Sequence, residues 1–324
     1  MERRDELLAQ VATLYYDLGK SQQEIAIEFD LSRSNISRML KEARERGIVE
    51  IFIHHPLRRV MHLEQELCKR FGLREAAVVE CVPGNDDLTL TRAAKLAARV
   101  LDQTLENVQL LGISLGRAVH ATVNAFTPSR RFDVEVVQLM GAGSQLNPAF
   151  DGPALVDQTA RRLTNRVRYL YAPNIVDSAV VARALLEQTN LALTLTLARQ
   201  AEVALVGIGA LSPVVSGLVG ANVLTPEELD AFRADGVVGD ICGRHFDRFG
   251  HKVTSDLDDR VIAITLDELK AIPNVIGVAC TATKVEAILG ALRGGYLDTL
   301  VTDSAAAEGV LTLADQLIAP GAHH

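Results

Sequence analysis

Short apolar runs that alternate with helical stretches fill the chain from about residue 76 onward. Such runs are typical of strands buried on both faces of a parallel sheet. Strands are predicted at residues 108–111, 134–139, 167–170, 203–206, 237–241, 261–264, 275–278 and 299–301. Helices are predicted at residues 89–104, 115–125, 153–164, 178–188, 226–233, 283–292 and 304–313. The alternation predicts an α/β fold with a mainly parallel, Rossmann-like sheet that carries helices on both faces.

The first fifty residues carry a second pattern, two short helices joined by a tight turn. Ser21 and Glu24 form a capping box, in which the serine hydroxyl and the glutamate carboxylate each accept a hydrogen bond from a backbone amide. Ser32 caps a second helix at residues 33–45, and Asp30 tolerates the backbone shape that the turn requires. This spacing predicts a helix-turn-helix.

The chain is expected to have three parts. A first helix at residues 7–18 and a strand at residues 48–53 complete a small winged helix-turn-helix domain at residues 1–55. Residues 56–75 form a linker helix whose apolar face fits either a partner helix in an oligomer or the body of the same chain. Residues 76–324 form the α/β body.

The polar face of the second helix suits contact with double-stranded DNA. Hydrogen-bonding side chains there can read base edges, and basic ones can contact phosphates. The candidate DNA-binding residues are Gln22, Arg33, Ser34, Asn35, Ser37, Arg38, Lys41 and Arg44. Because the N-terminal end of such a helix enters the major groove, Lys41 and Arg44 are assigned to the phosphate backbone. The alternative is an ordinary helical hairpin with a solvated face, in which Glu42 and Glu45 dilute the positive charge.

The charge distribution is compatible with a DNA partner although the net charge is −8. Residues 1–60 hold ten basic and ten acidic residues, so the excess negative charge lies beyond them. An acidic body repels DNA on every face except the one with the recognition helix, which limits non-specific binding. Because one N-terminal domain without net charge would bind DNA weakly, a homodimer or homotetramer is expected.

The cysteines and the hydropathy pattern narrow the class of protein further. Cys68, Cys81, Cys242 and Cys280 are scattered without zinc spacing, which indicates free thiols in a reducing compartment and no metal site. The sequence shows no long uncharged apolar run and no signal-peptide pattern after Met1. We expect a cytoplasmic protein with no membrane partner and no cofactor.

Glycines and polar side chains follow several predicted strands, where ligands of open parallel sheets bind. The loop at residues 112–117 opens a helix, so its amides can hold an anion. Asp240 can accept hydrogen bonds from hydroxyls, and Lys284 places a cation at another helix start. The candidate ligand-binding residues are Gly112, Ile113, Ser114, Leu115, Gly116, Arg117, Gly141, Gly143, Asp240, Cys242 and Lys284. Together they predict a pocket for a phosphorylated sugar or polyol.

Each of these residues also has a structural alternative. Strand-to-helix turns need glycine for packing, Lys284 fits a solvated surface, and Asp240 fits the cap of a turn. The spacing Gly112-x-Ser114-x-Gly116 also fits the nucleophile elbow of α/β-hydrolases, with His245 or His251 as the base. Hydrolysis is disfavoured because the sequence has no His-Gly-Gly oxyanion loop.

Taken together, these motifs resemble the SorC family of bacterial transcriptional regulators, which includes the deoxyribonucleoside and central glycolytic regulators of Gram-positive bacteria. The resemblance covers nearly the whole chain. It rests on the segments 32–38, 112–117, 139–143, 239–247 and 284–295. It implies a regulator whose operator affinity is controlled by a phosphorylated sugar or polyol; the alternative is an isomerase-like enzyme with a DNA-binding head.

The resemblance also implies a fold and a site. The effector domain would have a fold like the sugar-phosphate isomerases, would bind phosphorylated sugars without turning them over, and would assemble as a dimer or a dimer of dimers. The loop at residues 112–117 would hold phosphate, and Asp240 and Lys284 would face the effector. The chain departs from the family at residues 279–282, where a glycine pair usually precedes the lysine.

Overall fold

The computed structural model describes residues 2–49, 57–143, 150–211 and 224–317. The chain divides into two compact units, residues 1–56 and 57–324. No helix in the described part of the chain is long and apolar enough to cross a membrane.

Three helices form the small unit: α1 (Glu2–Tyr16), α2 (Gln22–Glu28) and α3 (Arg33–Glu45). Their apolar faces meet in one core, as the 3.6-residue periodicity predicts. Its fully buried side chains include Leu8, Val11, Ile25, Ile36 and Leu40. Most of the strand predicted at residues 48–53 lies outside the described residues, so the wing stays a prediction.

Both helix caps that the sequence predicts in this unit are present. The Ser21 hydroxyl accepts a hydrogen bond from Glu24 N at 3.2 Å, and Ser21 N donates to the Glu24 carboxylate at 2.8 Å. Asn35 N donates to the Ser32 hydroxyl at 3.2 Å. Asp30 has a φ of 52°, the left-handed conformation that aspartate tolerates in a turn. These bonds fix where α2 and α3 begin.

The larger unit contains two sheets. Its strands are β1 (Glu75–Val79), β2 (Leu110–Ile113), β3 (Glu135–Gln138), β4 (Val167–Arg168), β5 (Val203–Gly207), β6 (Gly209–Ala210), β7 (Val237–Ile241), β8 (Arg244–Asp247), β9 (Asn274–Val278) and β10 (Thr299–Asp303). The main sheet is parallel throughout, in the order β1-β10-β9-β5-β2-β3-β4. The strands β6, β7 and β8 form a small antiparallel sheet. The predicted parallel α/β fold is therefore confirmed.

Helices cover both faces of the main sheet. The helices described in this unit are α4 (Met61–Phe71), α5 (Asp86–Thr104), α6 (Arg117–Ala125), α7 (Gly152–Arg162), α8 (Ala179–Leu186), α9 (Thr189–Ala198), α10 (Pro226–Ala234), α11 (Leu266–Lys270), α12 (Val285–Arg293) and α13 (Ser304–Gln316). One apolar core joins α5, α6 and α7 to the sheet, and a second joins α4, α9, α12 and α13 to the opposite face. The body is thus a three-layer sandwich, and the strands of the main sheet other than the edge strand β4 are largely buried.

One predicted strand is wrong, and one belongs to a different sheet from the one expected. Residues 261–264 are buried and apolar, but Val261 and Ala263 make only isolated bridges, to Ile175 and Met140. An extended segment packed against loops gives the same apolar pattern as a strand, which is why periodicity alone cannot separate the two. The run at residues 237–241 is β7, which pairs antiparallel in the small sheet.

The linker helix α4 packs on the body of its own chain. Leu63 and Leu67 are buried in the core that also contains β1 and α13. Just before the helix, Val60 N donates to Val78 O at 2.9 Å, and Arg59 pairs antiparallel with Val79. The chain that leaves the small unit therefore joins the β1 edge of the main sheet.

The buried carboxylate of Glu64 fastens this junction. It accepts hydrogen bonds from Arg59 Nε at 2.7 Å and from Val78 N at 2.9 Å, and its side chain is only 6% exposed. The ion pair with Arg59 is the charge partner that a buried carboxylate needs. Residues 57–75 thus belong structurally to the larger unit.

Candidate functional site

The topology of the main sheet marks one crevice. From β2 the chain continues outward to β3 and β4, whereas from β5 it continues in the opposite direction to β9 and β10. The connections after β2 and β5 therefore diverge, and ligands of open α/β sheets bind at such a switch point, beyond the carboxyl ends of the strands. The loops at residues 114–116 and 207–209 border it, and the loop at residues 279–284 follows the next strand, β9.

Ser114 ties the two sides of this crevice together. Its side chain is buried, its backbone N donates to Leu205 O at 3.1 Å, and its hydroxyl accepts from Gly207 N at 3.3 Å. The hydroxyl proton lies nearest to Leu115 O, at 3.5 Å between the oxygens. Because this hydroxyl bonds to backbone groups rather than to an imidazole, the geometry does not favour a nucleophile elbow.

In the predicted phosphate-binding loop, residues 112–117, some residues can offer a ligand only their backbone and others can offer a side chain. Gly112 and Ile113 lie within β2, whose ladder pairs with β3 and β5. Gly116 begins α6 with a φ of 121° and without a side-chain cap, which leaves the helix start available to an anion. Arg117 follows, an exposed guanidinium 3.9 Å from the Asp87 carboxylate. Leu115 packs against both apolar cores.

The structure brings Lys284 and Asp240 together at the crevice. Lys284 Nζ donates to Ile208 O, between β5 and β6. The Asp240 carboxylate lies against Gly209, where a Cβ would be 1.7 Å from one of its oxygens, so the close approach requires glycine. Its other oxygen accepts from Gly243 N at 3.2 Å. Asp240 therefore keeps acceptor capacity for a ligand, since each carboxylate has about four lone-pair sites.

Electrostatics show that these side chains share one environment. Burial of the ammonium group lowers the pKa of Lys284, the Asp240 carboxylate raises it, and the Arg117 guanidinium lowers it again. Two cations that act on each other beside one carboxylate make a site that a phosphate dianion would stabilise.

The shape of the loop after β9 depends on two residues, Thr281 and Asp303, that were not among the predicted ligand-binding residues. Thr281 has φ 81° and ψ 153°, a region that is almost restricted to glycine. Its backbone N donates to the carboxylate of Asp303, which is buried at the end of β10 and also accepts from Ala305 N at 3.0 Å and Ala306 N at 3.2 Å. The difference from the family pattern at residues 279–282 indicated that this loop is unusual. Nothing in the sequence around Asp303 indicated its role.

The remaining predicted ligand contacts have structural partners. Gly141 N donates to Ile262 O at 2.8 Å, and Gly143 N donates to the Asp151 carboxylate at 2.9 Å, so both amides are already bonded. Cys242 is buried at a φ of 53° in the turn between β7 and β8, and burial raises the pKa of its thiol to about 12. As effector contacts, these three residues stay predictions.

In the small unit, α3 separates an apolar face from a polar one. Ile36, Met39, Leu40 and Ala43 are buried. The predicted DNA-binding residues Arg33, Ser34, Ser37, Arg38, Lys41 and Arg44 are exposed, and Gln22 and Asn35 are partly buried. Arg38 donates to the Asn35 side-chain oxygen, which orients two predicted base-reading groups together.

The acidic residues on α3 are neutralised within the small unit. Arg4 donates to the Glu42 carboxylate at 2.6 Å, and Arg46 does so at 3.3 Å. These arginines hold the pKa of Glu42 below its ordinary value, chiefly through the Arg4 hydrogen bond. Glu45 lies 3.6 Å from Lys41. The positive charge of Arg33, Arg38 and Arg44 is therefore not cancelled by Glu42.

Comparison with known proteins agrees with both units. The Sugar-bind family model, which describes a sugar-binding domain, matches residues 55–312. The chain is 33% identical over 318 residues to the sorbitol operon regulator of Klebsiella pneumoniae, covering 96% of this chain and 100% of that protein. It is 30% identical over 309 residues to the deoxyribonucleoside regulator of Bacillus subtilis (strain 168), covering 95% of this chain and 98% of that protein.

A solved structure shows the same architecture. The crystal structure of the full-length sorbitol operon regulator SorC from Klebsiella pneumoniae matches with a TM-score of 0.71 and 31% sequence identity, over 95% of this chain and 99% of that chain. The curated relatives are named regulators, not enzymes. The predicted resemblance is confirmed: this chain belongs to the SorC family of transcriptional regulators and carries a sugar-binding domain.

Proposed function

We propose that a phosphorylated sugar or polyol binds at the crevice between β2 and β5 and controls the affinity of this regulator for its DNA operator. The observation that carries the proposal is that Lys284 and Asp240 meet neighbouring residues, Ile208 and Gly209, after β5 at the topological switch point, while Arg117 begins α6 after β2. The two cations and the start of α6 would hold a phosphate, and the carboxylate would accept hydrogen bonds from hydroxyls. The polyol in the name of the Klebsiella relative supports this class of ligand.

The same proposal assigns DNA recognition to α3 and assembly to a homodimer or homotetramer that acts in the cytoplasm. An effector controls such a regulator by binding one of its global states better than the other. The site needs only to bind the effector with different affinity in the two states, and no bond of the sugar has to be broken.

A thermal-shift screen of sugar and polyol phosphates, followed by calorimetric titration, tests the effector site. Lys284→Ala should weaken binding of the sugar phosphate and of inorganic phosphate by about tenfold or more, on the order expected for a lost charge-assisted contact. Asp240→Asn should weaken binding of the sugar phosphate but not of inorganic phosphate, because it replaces one of the two acceptor oxygens with an NH2 donor and removes a nearby negative charge. Ser114→Ala should have a modest effect, since the α6 start remains.

Lys69→Ala is the matched control, because this lysine is exposed on α4, away from the crevice. All of these variants should keep their affinity for operator without effector, since the DNA-reading side chains belong to the other unit. Wild-type affinity for the effector in Lys284→Ala would place the pocket elsewhere.

A further inference from the structure

His245 is a buried histidine with no hydrogen-bond partner. It lies on β8 and is 0% exposed. Within the part of the chain that the structure describes, neither ring nitrogen has a donor or acceptor in reach. Native proteins keep few such groups, and each one asks for an explanation.

The neighbouring residue, Arg244, is also buried but has a full set of hydrogen-bond partners. Its guanidinium donates to the carbonyl oxygens of Asp258 at 2.7 Å, Val261 at 3.2 Å, Ala263 at 3.2 Å and Ile264 at 3.4 Å. Arg244 thus fixes residues 258–264 to β8. The side chain of His245, one residue later, forms no hydrogen bond with any of the described residues.

The register of the small sheet places His245 beside Asp240. The two residues are directly opposite each other in the β7–β8 pair, and opposed residues of antiparallel strands have side chains on the same face. The alternate positions face α12: a Cβ on Gly239 would lie 2.6 Å from Ala287 Cβ, and Phe246 lies against Gly290. His245 and Asp240 therefore share the face away from α12, where Asp240 meets Lys284.

The charge state of His245 suits a hydroxyl better than a phosphate. Burial lowers the pKa of His245 from its ordinary value, against the opposing effect of Asp240 and Asp258 and with a small effect of Arg244 in the same direction as burial. The ring is therefore neutral at pH 7 and carries one donor and one acceptor. A sugar hydroxyl also donates and accepts, so the two are complementary.

The helix α10 covers this ring. Phe232 of α10 meets the imidazole edge to face, with ring centroids 4.8 Å apart. Leu229 is the buried residue of α10, and most of the other side chains of the helix are exposed. Because His245 is 0% exposed, a ligand can reach its ring nitrogens next to Asp240 only if Phe232 and α10 move.

We propose that His245 hydrogen-bonds a hydroxyl of the bound sugar or polyol phosphate and, together with Asp240, distinguishes it from inorganic phosphate. This inference rests on the proposed function, since it extends the same site from the phosphate-binding end toward the hydroxyl-bearing end of the ligand. It explains why a buried imidazole has no hydrogen-bond partner in the protein, because the ligand hydroxyl would be that partner.

The test compares His245→Phe with wild type by calorimetric titration against sorbitol 6-phosphate and inorganic phosphate. Phenylalanine keeps a ring against Phe232 but cannot form hydrogen bonds. We expect affinity for sorbitol 6-phosphate to fall about tenfold or more and affinity for inorganic phosphate to stay within about twofold. The melting temperature should stay equal or rise, because two unpartnered nitrogens are removed.

A second variant and a control separate hydrogen bonding from packing. His245→Gln restores one donor and one acceptor and should bind sorbitol 6-phosphate more tightly than His245→Phe. His251→Phe, on the exposed turn that follows β8, should bind both compounds like wild type. Wild-type affinity of His245→Phe for both compounds would overturn this inference alone, and a wild-type protein that binds neither would overturn the proposed function as well.

Discussion

Thr281 occupies a backbone conformation that side chains rarely adopt, at the point where the loop after β9 reaches the crevice. Such a residue persists only where its surroundings fix it, and the buried carboxylate of Asp303 holds its amide. The bond comes from a strand 22 residues away, so no local reading of the sequence could find it. By contrast, the positions of Lys284 and Asp240 could be predicted locally, because Lys284 follows β9 closely and Asp240 lies near the end of β7.

Replacing Thr281 with glycine should stabilise the protein. Glycine adopts this φ and ψ without strain, so Thr281→Gly should raise the free energy of unfolding by about 1 kcal/mol after the entropy cost of glycine is subtracted. Denaturant unfolding measures it. Thr283→Gly is the control, because it loses the same hydroxyl contact between Thr281 and Thr283 at 2.8 Å but has no positive φ. If the Thr281→Gly protein is less stable than wild type, Thr281 is not strained.

His245 also predicts how stability depends on pH. Its folded pKa is lowered from 6.5, chiefly by burial, so below pH 6.5 the unfolded chain binds a proton that the folded ring does not. Stability from this group is therefore present above pH 6.5 and is lost as the pH falls toward the folded pKa. Melting temperatures measured from about pH 8 to about pH 5 should fall more steeply in wild type than in His245→Phe. Parallel curves would show that His245 titrates normally.

At the scale of elements, the sequence predicts best where burial is complete. Strands such as β5 and β9 are continuous apolar runs because both faces are covered, and they begin and end within a residue or so of expectation. β1 was missed because its Glu75-Ala-Ala start lacks β-branched residues. α9 was missed because its alternation of leucine with alanine and threonine has the two-residue period of a strand rather than the period of an amphipathic helix.

The helix α3 carries its own prediction. Asn35→Ala or Arg38→Ala should reduce discrimination between operator and random duplex by about 1–3 kcal/mol, because a base contact is lost. Lys41→Ala should instead weaken both duplexes alike and flatten the salt dependence. Fluorescence anisotropy over a range of salt concentrations measures both effects. Arg99→Ala, exposed on α5, should change neither, and three α3 variants that behave like wild type would refute the assignment of α3 as the recognition helix.

At the scale of the whole molecule, the charge distribution leads us to expect that the protein binds DNA as an oligomer. The first sixty residues are neutral overall and the net charge of −8 lies in the rest of the chain, so a single head gains little from phosphate contacts. Two heads on one symmetric site would double those contacts. This part of the function follows from composition and needs no detail of the site.

Tight binding should therefore require two half-sites related by a twofold axis and separated by one helical turn or a multiple. A duplex with one half-site deleted should bind far more weakly than the full operator. Light scattering at micromolar concentration should show a dimer or a tetramer. A monomer with full operator affinity would refute this expectation.

The junction at residues 57–64 has a mechanical consequence. Val60 and Arg59 are bonded to the end of β1, β1 is bonded to β10, and β10 ends in Asp303, which holds the loop that precedes Lys284. Residues 59 and 60, just before α4, and the loop that precedes Lys284 are thus bonded to adjacent strands of one sheet. We expect a shift of this loop on ligand binding to reach residues 59 and 60 through these two strands.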